Sequence, residues 1–288
     1  MNTNDFKTRT EIIEEQSTCP EGYWVLGLDT GYSSVKGKSP NKRFAFPYYA
    51  KKVPEGRAFL REAEDSDIRY RDETGEWVVG KLAYDEVNAK EIVDSEQELT
   101  GRHRFFTDIF RVTTRTGIAL GLMPNKYGSC EDKHIMIEAG LPPKYINDAV
   151  DLREALCGKH DFEVKVGAGN WIKYSIELKE NDIQVMPQPL GSLVSASTNA
   201  NGRQSKTAIQ YWSGNVIVFD PGYGTLDTYI VKRGQVIGKG ETFPEYGMHE
   251  VFARTCRDIE KEFGLSIEVP ELQNCLESGE VKVIVSRR

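Results

Sequence analysis

Val216-Ile217-Val218-Phe219-Asp220-Pro221-Gly222-Tyr223-Gly224-Thr225-Leu226-Asp227 is the stretch whose reading decides the fold. Its first four residues are apolar and β-prone, the signature of a buried strand. The strand runs straight into an acidic residue and a pair of glycines. Gly222 and Gly224 permit positive φ and leave room at the backbone, so the turn can aim several N–H groups at one point. That arrangement suits a phosphate, and the carboxylates of Asp220 and Asp227 suit Mg²⁺ with its shell of oxygens. An ordinary strand–Asp–Gly hairpin turn fits the same words, and alone the stretch does not separate the two.

A second copy changes the balance. Trp24-Val25-Leu26-Gly27-Leu28-Asp29-Thr30-Gly31-Tyr32-Ser33-Ser34-Val35-Lys36 repeats the grammar: apolar strand, Asp-x-Gly-Tyr, small hydroxyl residues. Residues 29 and 220 are too far apart for a solenoid repeat. The spacing is natural for two related domains that face each other and clamp a polyphosphate from both sides.

Paired in this order, the two stretches resemble the phosphate loops of actin-like ATPases. That broad group takes in actin, the heat-shock chaperone ATPases and sugar kinases, and the nearest resemblance is to its plasmid-segregation, ParM-type branch. Asp29 to Lys36 resembles the first phosphate loop and Asp220 to Asp227 the second. Between them, Ile183-Gln184-Val185-Met186-Pro187-Gln188-Pro189-Leu190-Gly191 places Gln188 where the family puts the residue that orients the attacking water. Trp77 to Ala83 and Ile137 to Pro142 are further family-like phrases. The resemblance covers roughly residues 22 to 265, with the order preserved.

The resemblance implies an α/β fold of the actin-like (ribonuclease H-like) kind, two domains with a nucleotide cleft between them. Residues 1–20 are expected as an N-terminal appendage, 21–210 as the N-terminal domain with a small insert at about 40–80, and 211–288 as a partial, truncated C-terminal domain. The family's later Gly-Gly-rich turn, which cradles adenine and ribose, has no counterpart between Leu265 and Arg288. An exposed apolar surface is therefore expected on the second domain.

The cofactors implied are ATP, with GTP as the alternative, and Mg²⁺. Asp29 and Asp220 would hold the ion through water, because Mg²⁺ dehydrates reluctantly. Lys36 would reach the phosphates as a point charge. Gly31, Tyr32, Ser33, Ser34, Gly222, Tyr223, Gly224, Thr225 and Asp227 complete the expected nucleotide contacts, and Gln188 and Asp220 the catalytic pair. Gln188 is neutral and a weak base, so turnover should be slow. The function implied is an ATPase that polymerises into filaments, with itself and a DNA-binding adaptor as partners, for plasmid or phage DNA segregation. Two alternatives stay open. One is a small-molecule kinase, which needs a carboxylate base that the Gln188 position does not offer. The other is a non-catalytic assembly module.

Composition bounds these readings. The 288 residues are 39% hydrophobic and 28% charged, with a net charge of −7. Such a chain can bury a sizeable core, and its charge argues against a strong general affinity for DNA or anionic lipid while leaving room for a local basic patch. Five scattered cysteines without C-x-x-C spacing, a polar and acidic start, and no apolar run of membrane-spanning length suggest a reduced, cytoplasmic protein.

Along the chain, Glu11 to Glu15 is read as a short helix stopped by Pro20. Phe105, Phe106, Ile109 and Phe110 recur at helical spacing, with Arg102, Arg104, Arg111 and Arg115 expected in solvent. His103 and His134 have no carboxylate at ligand spacing and receive no role. Tyr145 to Leu156 is read as a helix capped by Gly158. Residues 197–207 are read as a linker or mobile loop. Arg233-Gly234 should turn a hairpin, Gly247 to Phe263 should form an amphipathic helix ended by Gly264, and Val281 to Val285 a last strand.

Overall fold

A computed structural model describes residues 7–57, 61–86, 102–199 and 201–282. Strands β1 (Glu11–Glu14), β2 (Tyr23–Thr30), β3 (Ser34–Ser39) and β4 (Lys42–Pro47) come first. Next are β5 (Ala50–Lys52), β6 (Ile68–Asp72), β7 (Gly75–Val79) and helix α1 (Lys81–Glu86). Helix α2 (Asp108–Leu122) leads to β8 (His134–Leu141), α3 (Ala149–Leu156), β9 (Gly158–Val166), β10 (Ile172–Leu178) and β11 (Ile183–Pro187). The chain continues through α4 (Gln188–Ser197), α5 (Ala208–Ser213), β12 (Asn215–Pro221), β13 (Leu226–Lys232), β14 (Gln235–Phe243), α6 (Met248–Phe263) and α7 (Val269–Cys275).

The first sheet has the order β1-β4-β3-β2-β8-β11, with β2, β8 and β11 parallel. Helix α2 lies close on it, because glycines four apart on the helix remove the side chains in the way. A Cβ on Gly121 would stand 2.5 Å from the Leu26 side chain, and one on Gly117 2.9 Å from Leu28. The Trp24 indole N–H then reaches the Gly121 carbonyl at 3.0 Å. Leu26, Val35, Phe46 and Ile137, all fully buried, form the centre of this core.

The second sheet, β10-β9-β6-β7-β5, joins the strands of residues 50–79 to β9 and β10. Residues 42–47 belong to the first sheet, while β6 pairs with β9 some ninety residues later. Local hairpin chemistry was visible in the sequence, but that long-range register was not. The same sheet overturns the placing of Arg111 and Arg115 in solvent. The Asp72 carboxylate is fully buried and accepts from the Tyr70 hydroxyl (2.8 Å) and from the Thr74 N–H (2.8 Å) and hydroxyl (2.6 Å). Arg111 and Arg115 of α2 stand 3.5 and 3.3 Å from it. Burial works to raise the pKa of Asp72, and these bonds and charges outweigh it, leaving the carboxyl below its usual range. Those two arginines anchor the helix to the sheet rather than offering a basic surface.

Four smaller readings also change. Residues 11–14 form an edge strand in register with 42–45, with Ile12 packed on the core, instead of a helix. So short a helix is marginal in water, while the open edge of β4 supplies a full ladder. Cys157, in extended conformation, caps α3, and Gly158 begins β9 at φ 110°. His134 does meet a carboxylate, that of Asp182 at 2.8 Å, across the β8–β11 side of the sheet. Of the expected last strand, Val281 and Lys282 are not extended in a ladder, and the remainder lies outside the described residues.

The third sheet, β12-β13-β14, is antiparallel. Arg233 and Gly234 take φ of 50° and 75°, the two positive values a tight β-hairpin turn requires. Leu193, Tyr229 and Val231 bury one face under α4 and α5. The other face carries Ile217, Phe219, Ile230 and Ile237, all exposed. The expected buried strand at Val216 is thus buried on one side only. Helices α6 and α7 pack on each other around Phe252, Cys256, Val269 and Leu272, and Gly264 (φ 65°) ends α6 as its sequence requires.

Candidate functional site

Three chain segments end at one place because β2, β8 and β11 run parallel. Their carboxyl ends deliver Asp29, Gly140 and Gln188 to the same crevice, the usual ligand position of such sheets. The crevice is a cleft of about 1220 Å³, and Asp220 and Lys36 line it with them. Gln188 is the first residue of α4, and its Nε2 donates to Asp29 Oδ1 at 3.0 Å. Gly140 provides the room, since a Cβ there would stand 2.8 Å from Gln188 Cγ.

The first loop is the β2–β3 hairpin, in which Asp29 pairs with Lys36 and Thr30 with Val35. Ser34 is buried, and the Ser33 carbonyl accepts from the Tyr48 N–H at 2.9 Å, which fixes the turn. The second loop joins β12 to β13, with Asp220 directly opposite Asp227. Several of its groups are already engaged. The Gly222 N–H bonds the Thr225 carbonyl at 2.8 Å, and the Thr225 hydroxyl bonds Asp227 Oδ2 at 3.0 Å. The Tyr223 ring packs against His249 and Phe252. Gly222, Tyr223, Thr225 and Asp227 therefore shape the loop with these groups. The backbone N–H groups of Gly224 and Thr225 have no acceptor among the described residues and are the donors left for an anion.

Two residues that sequence reasoning did not assign to the site shape it. Arg104, 5% exposed, lines the cleft, and its Nη2 donates to the Thr30 carbonyl at 2.9 Å. The spacing that grouped it with surface arginines gave no hint of this. Gly247 is the other. The N–H groups of Met248 and His249, at the start of α6, bond the carbonyls of Gly222 (3.1 Å) and Tyr223 (2.8 Å). That clamp brings Gly247 so near that a Cβ would stand 2.5 Å from the Gly224 carbonyl carbon. Backbone cannot swing aside as a side chain can. Gly247→Ala is expected to displace the second loop and to cost about 1–3 kcal/mol of stability, read from urea unfolding.

The electrostatics of the cleft favour a cation between the loops. Burial raises the Asp29 pKa, Lys36 and Arg104 pull it down, and the Asp220 carboxylate pushes it up again. Burial likewise raises Asp220, with Lys36 opposing. Asp227 is raised by burial, against bonds from Thr242 and Thr225. Buried carboxylates that feel each other across the cleft suit a hydrated divalent ion. Among the described residues no three His, Cys, Asp or Glu side chains stand close enough to cage a metal. The donor set therefore fits Mg²⁺ completed by water and phosphate oxygens rather than by protein alone.

A family model described as the N-terminal domain of actin-like proteins matches residues 27–191. A search of curated proteins finds no match. Among solved structures, the chain is similar to a non-polymerisable quadruple mutant of pCBH ParM, at 19% identity and TM-score 0.65, over 90% of this chain and 75% of that one. A 15-stranded ParM filament from Clostridium botulinum gives 18% identity and TM-score 0.60, over 91% and 76%. The apo pSK41 ParM protein gives 17% and 0.58, over 90% and 78%. At these identities the likeness is one of fold.

Proposed function

Because the chain belongs to the actin-like proteins through its N-terminal domain, we propose that it binds and hydrolyses Mg-ATP and couples turnover to assembly into filaments. The observation that carries the proposal is the meeting of Asp29, Gln188 and Asp220 in one cleft between two glycine loops. Phosphoryl transfer to water asks the protein for position and charge more than for covalent chemistry. Lys36 and the N–H groups of Gly224 and Thr225 would hold the phosphates. Asp29 and Asp220 would hold Mg²⁺ through water, and the ion would neutralise charge on the phosphate oxygens.

Gln188 has its amide N–H committed to Asp29, which leaves Oε1 as an acceptor for the attacking water. A neutral amide orients water without removing its proton, which matches slow turnover and argues against a sugar-type kinase. A ParM filament is among the similar structures. For this chain we extend that to self-assembly, with a DNA-binding adaptor as partner in plasmid or phage segregation and GTP as an alternative nucleotide. No described helix is long and apolar enough to cross a membrane.

Light scattering and phosphate release, followed together after adding ATP with and without Mg²⁺, test the proposal. Scattering that rises above a critical protein concentration, followed by phosphate release, is expected. A chain that releases no phosphate and scatters equally without nucleotide would leave only the assembly-module reading.

A further inference from the structure

A guanidinium taken out of water is costly unless its surroundings make use of it. Arg104 is buried, yet its Nη1 has no hydrogen-bond partner among the described residues. Its other contacts are specific. Nη2 donates to the carbonyl of Thr30, the residue after Asp29, at 2.9 Å. The guanidinium also lies 4.7 Å over the Tyr32 ring and 5.1 Å from the Phe105 ring.

Tyr32 carries the contact onward. Its ring lies so close to Gly224 that a Cβ there would stand 2.5 Å from Tyr32 Cδ2. Arg104, Tyr32 and Gly224 thus form one stack that passes from the helix-side wall through the first loop to the second.

We propose that Arg104 is a positioning residue of the cleft, which through Tyr32 sets the spacing between the two glycine loops and so the grip on the polyphosphate. The proposal rests on the nucleotide reading of the cleft. It gives the tyrosine of the first loop a task different from touching nucleotide. Its ring is the spacer, and only Gly at position 224 lets the second loop sit on it.

Full-length variants separate this from a merely structural role. Tyr32→Phe keeps the ring face, Tyr32→Leu keeps apolar bulk without it, and Arg104→Lys keeps charge without the planar fork. Mg-ATP affinity by fluorescent-ATP displacement, kcat and KM by phosphate release, and nucleotide-free melting would be measured for each. Tyr32→Phe should stay within about twofold of wild type. Tyr32→Leu and Arg104→Lys should each lose roughly tenfold in kcat/KM, split between a higher KM and a lower kcat.

Should Arg104→Lys fail to fold, the Phe and Leu pair at position 32 decides the matter alone. Leu and Phe variants with equal kcat and KM, in a wild type that binds Mg-ATP, would overturn the spacing role while leaving the nucleotide reading intact. A wild-type chain that binds no Mg-ATP overturns both.

Discussion

Gln188→Ala is expected to slow ATP hydrolysis by about 10²–10³-fold while changing ATP affinity only a few-fold. The asymmetry follows from where Gln188 sits. It stands at the first residue of α4, tied to Asp29 at 3.0 Å, with its free amide oxygen as the group that would meet water. An interaction made with the attacking water matters in the transition state and hardly at all in the bound ground state. Gly140→Ala should mimic part of the effect, since the added methyl would press on Gln188 Cγ without removing the amide. Single-turnover phosphate release alongside equilibrium ATP binding reads both quantities. Equal, small changes in rate and affinity for Gln188→Ala would remove the assignment.

Asp220→Ala should behave differently, weakening Mg²⁺-dependent ATP binding roughly 10–100-fold and lowering hydrolysis with it. Asp220 faces the cleft from the second loop, and its charge is felt at Asp29 in the first. Removing it takes away one of two carboxylates that would share the hydrated ion. Binding measured in EDTA should then be nearly the same for wild type and variant. The same logic gives a pH dependence. Burial holds Asp29 and Asp220 above the usual aspartate range, so at a pH within that raised range taking up Mg²⁺ would release protons. Affinity should therefore fall as pH drops into that raised range, and the fall should be smaller in Asp220→Ala.

Much of this was legible in the chain itself. Two copies of strand–Asp–x–Gly–Tyr announced two loops, and Gln188 after an apolar strand was placed by its resemblance to the actin-like family. Local rules sufficed there, because a strand, a turn needing glycine and a helix start each follow from a few neighbouring residues. The same rules found Gly264 and the Arg233-Gly234 turn.

Elsewhere local rules misled. Glu11 to Glu15 reads as a short helix, and only the open edge of β4, some thirty residues away, makes 11–14 a strand. Arg104, Arg111 and Arg115 alternate with apolar residues as solvent arginines do. Asp72 and the Thr30 carbonyl come from other segments and turn all three inward.

The sequence by itself determined that this chain carries two strand–Asp–x–Gly–Tyr turns with a glutamine just past an apolar strand between them, since each is a short-range pattern set by backbone sterics and residue chemistry. Only the tertiary structure decided which groups of those loops remain available. Thr225, Gly222 and Tyr223 are committed to Asp227, to their own turn and to α6, while Arg104 and Gly247 enter the site from segments with no motif of their own. The physical reason is that hydrogen-bond partners and close approaches between distant segments depend on strand register and helix seating, and no local pattern of residues records them.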